Sequence, residues 1–132
     1  MNKRYSTKKT SVFNLGYHFI WCPKYRRKVL INGINVRAKE LLIEKAKEQD
    51  WVIENVEVMP DHIHIFIKAT PNDAPNYIVS QLKGYLSFIL RNEFPKLKTQ
   101  LPSLWTRSYY VESVGHISEE TVKRYIDEQK NK

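Results

Sequence analysis

Two histidines one residue apart, His62 and His64, stand in the stretch Pro60-Asp61-His62-Ile63-His64-Ile65-Phe66-Ile67-Lys68. Read as a β-strand, the stretch puts Ile63, Ile65 and Ile67 on one face and His62, His64, Phe66 and Lys68 on the other. The two imidazoles are then about 7 Å apart at Cα on an open face, close enough for their nitrogens to converge on one cation. Two ligands do not complete a shell, and paired strand histidines also occur as plain polar surface or satisfied hydrogen-bonders. A second set lies near the C-terminus, where Val122, Tyr125, Ile126 and Gln129 recur at i, i+3, i+4 and i+7 and share one helical face. A tyrosine on such a stripe can simply be core. An amide there needs polar partners if buried, and an oxygen ligand to a hard cation beside two imidazoles would satisfy it. Cys22 is the single cysteine, so an internal disulfide and a thiolate zinc cluster within one chain are both excluded.

Positioning these groups requires a sheet. Gly16 to Cys22 reads as a first strand, rich in aromatic and β-branched residues and ended by Pro23. From Asn35, a candidate cap, to Gln49, the residues Ala38, Leu41, Leu42 and Ala46 mark a helix. Trp51 to Met59 alternates as a second strand, Pro60-Asp61 turns, and His62 to Lys68 returns as a third. A second helix opens at Asp73 or Asn76, carries Ile78, Leu82, Tyr85, Leu86 and Ile89, has a weak point at Gly84, and stops at Pro95. Trp105 to Val114 reads as a fourth strand, and a last helix begins near Ser118 after Gly115. The order βαββαβ predicts an α+β fold: a ferredoxin-like antiparallel sheet with helices on one face and an added C-terminal helix over 116–132. The third strand is central there. The whole chain, 132 residues, is read as one domain.

Charge points to nucleic acid as the partner class, with a basic tail serving solubility alone as the other reading. The net charge is +8, and residues 1–30 hold eight Lys or Arg with no acid, whereas the remainder holds fourteen of each. The arm 1–15 and the loop Lys24, Arg26, Arg27 and Lys28 therefore form a field that attracts polyphosphate. Neighbouring aromatics such as Tyr17, Trp21 and Tyr25 suit single strands, whose bases can stack, and equally suit a place in the core. No apolar run approaches the roughly 18 residues of a membrane span and no signal-peptide core follows the N-terminus, so a cytoplasmic protein without a membrane partner is expected. The four glycines, Gly16, Gly33, Gly84 and Gly115, form no phosphate-binding loop, and no nucleotide cofactor is expected.

The strand PDHIHIFI, the segment WCPKYRRKVL, the strand end YYVESVG and the late helix YIDEQ together resemble the small single-tyrosine HUH transposases of prokaryotic insertion sequences. The likeness spans nearly the whole chain. It implies that His62, His64 and Gln129 bind Mg²⁺ or Mn²⁺ and that Tyr125 is the catalytic nucleophile; Asp61, which precedes the histidines as in the family motif, is a candidate to support them from behind, its place in the turn being the simpler reading. It further implies cleavage and rejoining of single-stranded DNA through a 5′-phosphotyrosine link, recognition of hairpins at element ends, and a homodimer. In that dimer the tyrosine helix of one subunit completes the site of the other; Gly115, between strand and helix, is a candidate hinge by its permissive backbone, or simply the end of the strand. Hairpin contact is assigned to the basic N-terminal region, above all Lys24, Arg26, Arg27 and Lys28.

Three other readings stay open at this point. A non-catalytic RNA-recognition-like module has the same element order and would use the histidines for stacking. A zinc hydrolase would add His18 or His116 as a third imidazole. A replication initiator, relaxase or repeat processor would keep the chemistry and change its biology.

Overall fold

A computed structural model of the chain describes residues 16–113 and 119–130. The basic arm 1–15, Val114, Gly115, His116 and Ser118 lie outside the described residues. The elements run β1 (Gly16–Trp21), α1 (Ile34–Glu48), β2 (Val52–Met59), β3 (His62–Lys68), α2 (Pro75–Glu93), α3 (Lys96–Gln100), β4 (Tyr110–Ser113) and α4 (Glu119–Glu128). One sheet of order β2-β3-β1-β4 results, antiparallel throughout, with β3 and β1 inside. This is the α+β arrangement expected from the sequence.

Alternation fixes which way β3 faces. Ile63, Ile65 and Ile67 are fully buried, while His62, His64, Phe66 and Lys68 are half-buried on the other side. A slip of one residue would expose three isoleucines at roughly 1.5–3 kcal/mol each, so burial of the apolar set also holds the imidazoles in place. The isoleucines meet Phe19 and Trp21 of β1, the α1 residues Ala38, Leu41, Leu42 and Ala46, and the α2 residues Ile78, Leu82, Leu86 and Leu90. The opposite face carries a separate small cluster in which Tyr125 and Ile126 of α4 pack on Ile20, Cys22 and Tyr110. The last helix thus covers the histidine-bearing face, whereas α1 and α2 cover the isoleucine face.

Several local expectations need correction. Among the described residues the fourth strand begins at Tyr110 rather than at Trp105, and Val114 lies outside them. Upstream of it, Trp105 makes only an isolated bridge to Pro23, the Thr106 amide donates to the Cys22 carbonyl, and Lys83 Nζ takes the carbonyls of Thr106 and Ser108. Those carbonyls are consumed by a side chain instead of a neighbouring strand. Gly33, at φ 97°, caps α1; Asn35 lies inside the helix and accepts from the Gly33 amide. Asp73 does not cap α2 but accepts from Trp51 Nε1 at 2.9 Å and from Thr70 Oγ1 at 3.1 Å, and Pro75 occupies the first turn. Pro95 ends α2 and also starts the short α3, which the sequence reading lacks.

Gly84 is the weak point its position suggests. A methyl group there would meet no atom within 4 Å, and the backbone is helical. Gly84→Ala is expected to stabilise the fold by about 0.5–1 kcal/mol, read as a rise in melting temperature; a fall would mean an unseen contact at that surface.

Candidate metal and nucleophile site

The tight turn Pro60-Asp61 sets the β2–β3 register, pairing Met59 with His62 and Glu57 with His64. Asp61 Oδ1 lies 2.9 Å from His62 Nδ1. A carboxylate only accepts, so the Nδ1 carries the proton and Nε2 of a neutral ring presents its lone pair. His64 Nδ1 stands 3.8 Å from Glu57 Oε1, and its Nε2 is buried with no hydrogen-bond partner. Burial holds the His64 pKa below the ordinary imidazole value, the nearby His18 pushes the same way, and Glu57 partly opposes both. Burial without a partner leaves that nitrogen a desolvated acceptor or donor on the sheet face. Glu57 escaped the sequence reading, although the two-residue turn fixes its register opposite His64.

On the next strand, His18 pairs in register with Phe66 and stacks flat on it, ring centroids 4.3 Å apart at 10°. Its ring also lies 5.6 Å from that of His64. Gly16 makes room for this stack, since a Cβ there would come within 2.7 Å of Phe66 Cε1. Despite the proximity of His18, no group of three His, Cys, Asp or Glu side chains among the described residues could hold a metal ion. The alternative third imidazole, His116, lies outside them.

The helix bearing Tyr125 crosses the same face. Tyr125 packs on Ile20, the cross-strand neighbour of His64, and its ring lies 6.0 Å from that of Tyr110. The phenol oxygen is buried without a well-formed hydrogen bond. Burial pushes its pKa up to about 12; the hydroxyls of Ser108 and Thr106 lie close enough to draw it part of the way back. Gln129 is 2 % exposed, and its Oε1 accepts from Ser108 Oγ at 2.9 Å while Nε2 donates to the Tyr125 carbonyl at 3.4 Å. The structure therefore brings the tyrosine helix to the histidine face but ties Gln129 to Ser108 rather than to the imidazoles. Behind this socket Lys83, its pKa lowered to about 8 by burial, fixes the Thr106 and Ser108 carbonyls at 2.8 and 3.3 Å.

The basic loop divides into two kinds of residue. Lys24 to Arg26 form one 3-10 turn, with Tyr25 and Arg26 at φ 59° and 53°. Arg27 and Lys28 are exposed and line a cavity of about 740 Å³ with Lys96 and Phe94. Lys24 stands 5.4 Å over the half-exposed Tyr25 ring. Arg26 turns inward, its Nε 3.4 Å from Asp61 Oδ2 and its Nη1 2.9 Å from Asp127 Oδ1.

A family model described as "Transposase IS200 like" matches residues 11–129. That match defines the class, a transposase and hence a DNA-processing enzyme. The chain belongs to the IS200-like transposase family. It is 35 % identical over 123 residues to the ISDra2 transposase TnpA of Deinococcus radiodurans, covering 92 % of this chain and 88 % of that one. A solved structure of a candidate transposase from Deinococcus radiodurans superposes with a TM-score of 0.80 at 33 % identity, over 86 % of this chain and 89 % of the other. A REP-associated tyrosine transposase bound to a REP hairpin shares the fold with a TM-score of 0.59 at 13 % identity, over 86 % of this chain and 63 % of that one. Among the described residues no helix is long and apolar enough to cross a membrane.

Proposed function

We propose that this transposase cuts and rejoins single-stranded DNA by HUH chemistry, with His62, His64 and Gln129 as ligands of Mg²⁺ or Mn²⁺ and Tyr125 as nucleophile. The observation that carries the reading is the His64 Nε2, buried and unpaired on a central strand beside a His62 whose other nitrogen is occupied by Asp61. Two imidazole nitrogens and one amide oxygen suit a divalent ion of intermediate or hard character. Such an ion supplies charge stabilisation to the phosphoryl oxygens and orients the scissile bond.

The chain's own groups do the rest. Asp61 holds the His62 tautomer that leaves Nε2 free, and Glu57 stands in the corresponding place for His64. Tyr125 Oη forms a bond to phosphorus as the bond from phosphorus to the 3′-oxygen breaks. The phenol proton is lost and the departing 3′-oxygen gains one, so that a 5′-phosphotyrosine and a free 3′-hydroxyl remain; a later 3′-hydroxyl reverses the step. In this reading Tyr125 leaves the buried socket, where desolvation disfavours the phenolate, and Gln129 exchanges Ser108 for the cation. A homodimer in which α4 reaches the partner's histidines meets both requirements, with Gly115 as the pivot. Its substrates are hairpins at element ends, a reading supported by the hairpin-bound fold relative. Lys24, Arg27 and Lys28 are the residues available to phosphates there, whereas Arg26 is engaged by carboxylates.

Asp61→Ala is expected to weaken Mn²⁺ binding about 10–100-fold, measured by calorimetry on the DNA-free protein; unchanged affinity would remove Asp61 from the site. Exchange of helices is tested by mixing Tyr125→Phe chains with His64→Ala chains. Mixed dimers then contain one intact site built from both subunits and should cleave far faster than either parent. Activity no higher than in the parents would show that each subunit uses its own helix.

A further inference from the structure

From sequence alone the four cations of KYRRK belong together as phosphate contacts, yet Arg27 and Lys28 are exposed while Lys24 and Arg26 are partly buried, and Arg26 faces two carboxylates. The Arg26 side chain is 19 % exposed and serves two carboxylates on different elements: Asp61 in the β2–β3 turn and Asp127 on α4. Its aim is built into the backbone. Tyr25 and Arg26 both adopt left-handed φ values of 59° and 53°, a conformation that costs free energy for residues bearing a β-carbon. The turn is held by Arg26 N to Pro23 O at 2.8 Å and Arg27 N to Lys24 O at 3.2 Å, and it is moored by Lys24 N to Leu104 O at 2.8 Å. A planar fork with five donors can divide itself between two carboxylates; an ammonium cannot do so with comparable geometry.

The geometry points to Arg26 as a clasp that seats the tyrosine helix against the histidine site, not as a DNA contact. Asp61 turns Oδ1 to His62 and Oδ2 to Arg26, so a continuous line of contacts runs from Asp127 on the helix through Arg26 and Asp61 to the His62 ring. Asp127 is half exposed, and ion pairs of that kind add little to global stability. The role is one of placement: Arg26 holds the Tyr125 helix in its resting seat on its own chain, and the exchange proposed above requires this clasp to open. The functional meaning rests on the proposed role of Tyr125, but the seating can be measured without metal or DNA.

Amide hydrogen exchange of α4 in the full chain provides that measurement, with alkylation of Cys22 as a second readout. Cys22 lies under Tyr125 and Ile126, and burial raises its thiol to about 12, so it reacts slowly while the helix is seated. Asp127→Asn and Arg26→Ala should each speed α4 exchange and Cys22 alkylation several-fold, whereas Asp127→Glu should retain protection. Loss of the Arg26 charge would by itself raise the thiol pKa further and slow alkylation, so faster labelling reads exposure. The double variant should be no looser than Arg26→Ala alone, because Asp127 acts on the clasp only through Arg26. In parallel, Arg26→Ala should leave the salt dependence of poly-dT binding at the wild-type slope. Unchanged α4 exchange in both single variants, additive effects in the double one, or a salt slope reduced by about one in Arg26→Ala would each overturn the clasp. Covalent attachment of DNA to Tyr125→Phe would instead sink the nucleophile assignment and leave the clasp standing.

Discussion

Replacing His64 with alanine is expected to abolish Mn²⁺ binding and reduce strand cleavage by about three orders of magnitude or more. The cation's contribution to a phosphoryl transition state is several kcal/mol, and each decade of rate corresponds to about 1.4 kcal/mol. The fold should survive, because the register of β3 is set by Ile63, Ile65 and Ile67 on the other face. Its pH dependence supplies an independent check. The folded-state pKa of His64 is lowered, so the native protein resists protonation that the unfolded chain accepts below about pH 6.5. Wild-type stability therefore falls as pH drops through that value, and His64→Ala should lose less stability over the same window. Chemical denaturation at neutral and mildly acidic pH measures the difference; a steeper acid loss in the variant would contradict the burial of a neutral ring.

Tyr125→Phe separates catalysis from folding more sharply still. Covalent attachment of DNA should vanish and cleavage should drop to the uncatalysed background, since phenylalanine offers no nucleophile. Stability should stay level or rise by up to about 1 kcal/mol, because the phenol oxygen is buried, neutral and poorly hydrogen-bonded. Loss of activity with a lowered melting temperature would indicate that the hydroxyl is structural. Mn²⁺ affinity should be untouched, as the phenol is not among the proposed ligands.

The sequence revealed the parts of this site that follow a period. An alternation of two separates His62 and His64 from three isoleucines, and a stripe at i, i+3, i+4 and i+7 unites Tyr125 with Gln129; neither depends on tertiary detail. The hairpin also contained more than was read from it, since a two-residue turn at Pro60-Asp61 already places Glu57 opposite His64. Other features have no local signal. Arg26 is indistinguishable from Arg27 by composition, and only a left-handed turn two residues long directs it to Asp61 and Asp127. The shortened β4 arises because Lys83, more than twenty residues upstream, captures the carbonyls that a longer strand would need. The attachment of Gln129 to Ser108 likewise depends on where α4 lands, which no period encodes.

The most direct test of the proposed chemistry is to identify the covalent adduct. The protein is incubated with 5′- or 3′-labelled single strands from the ends of the element, with and without Mn²⁺, and the trapped peptide is sequenced by mass spectrometry. The expected result is a Mn²⁺-dependent 5′-phosphate ester on Tyr125, with a free 3′-hydroxyl on the released strand. An adduct on another side chain, or one that forms equally well in Tyr125→Phe, would contradict the account.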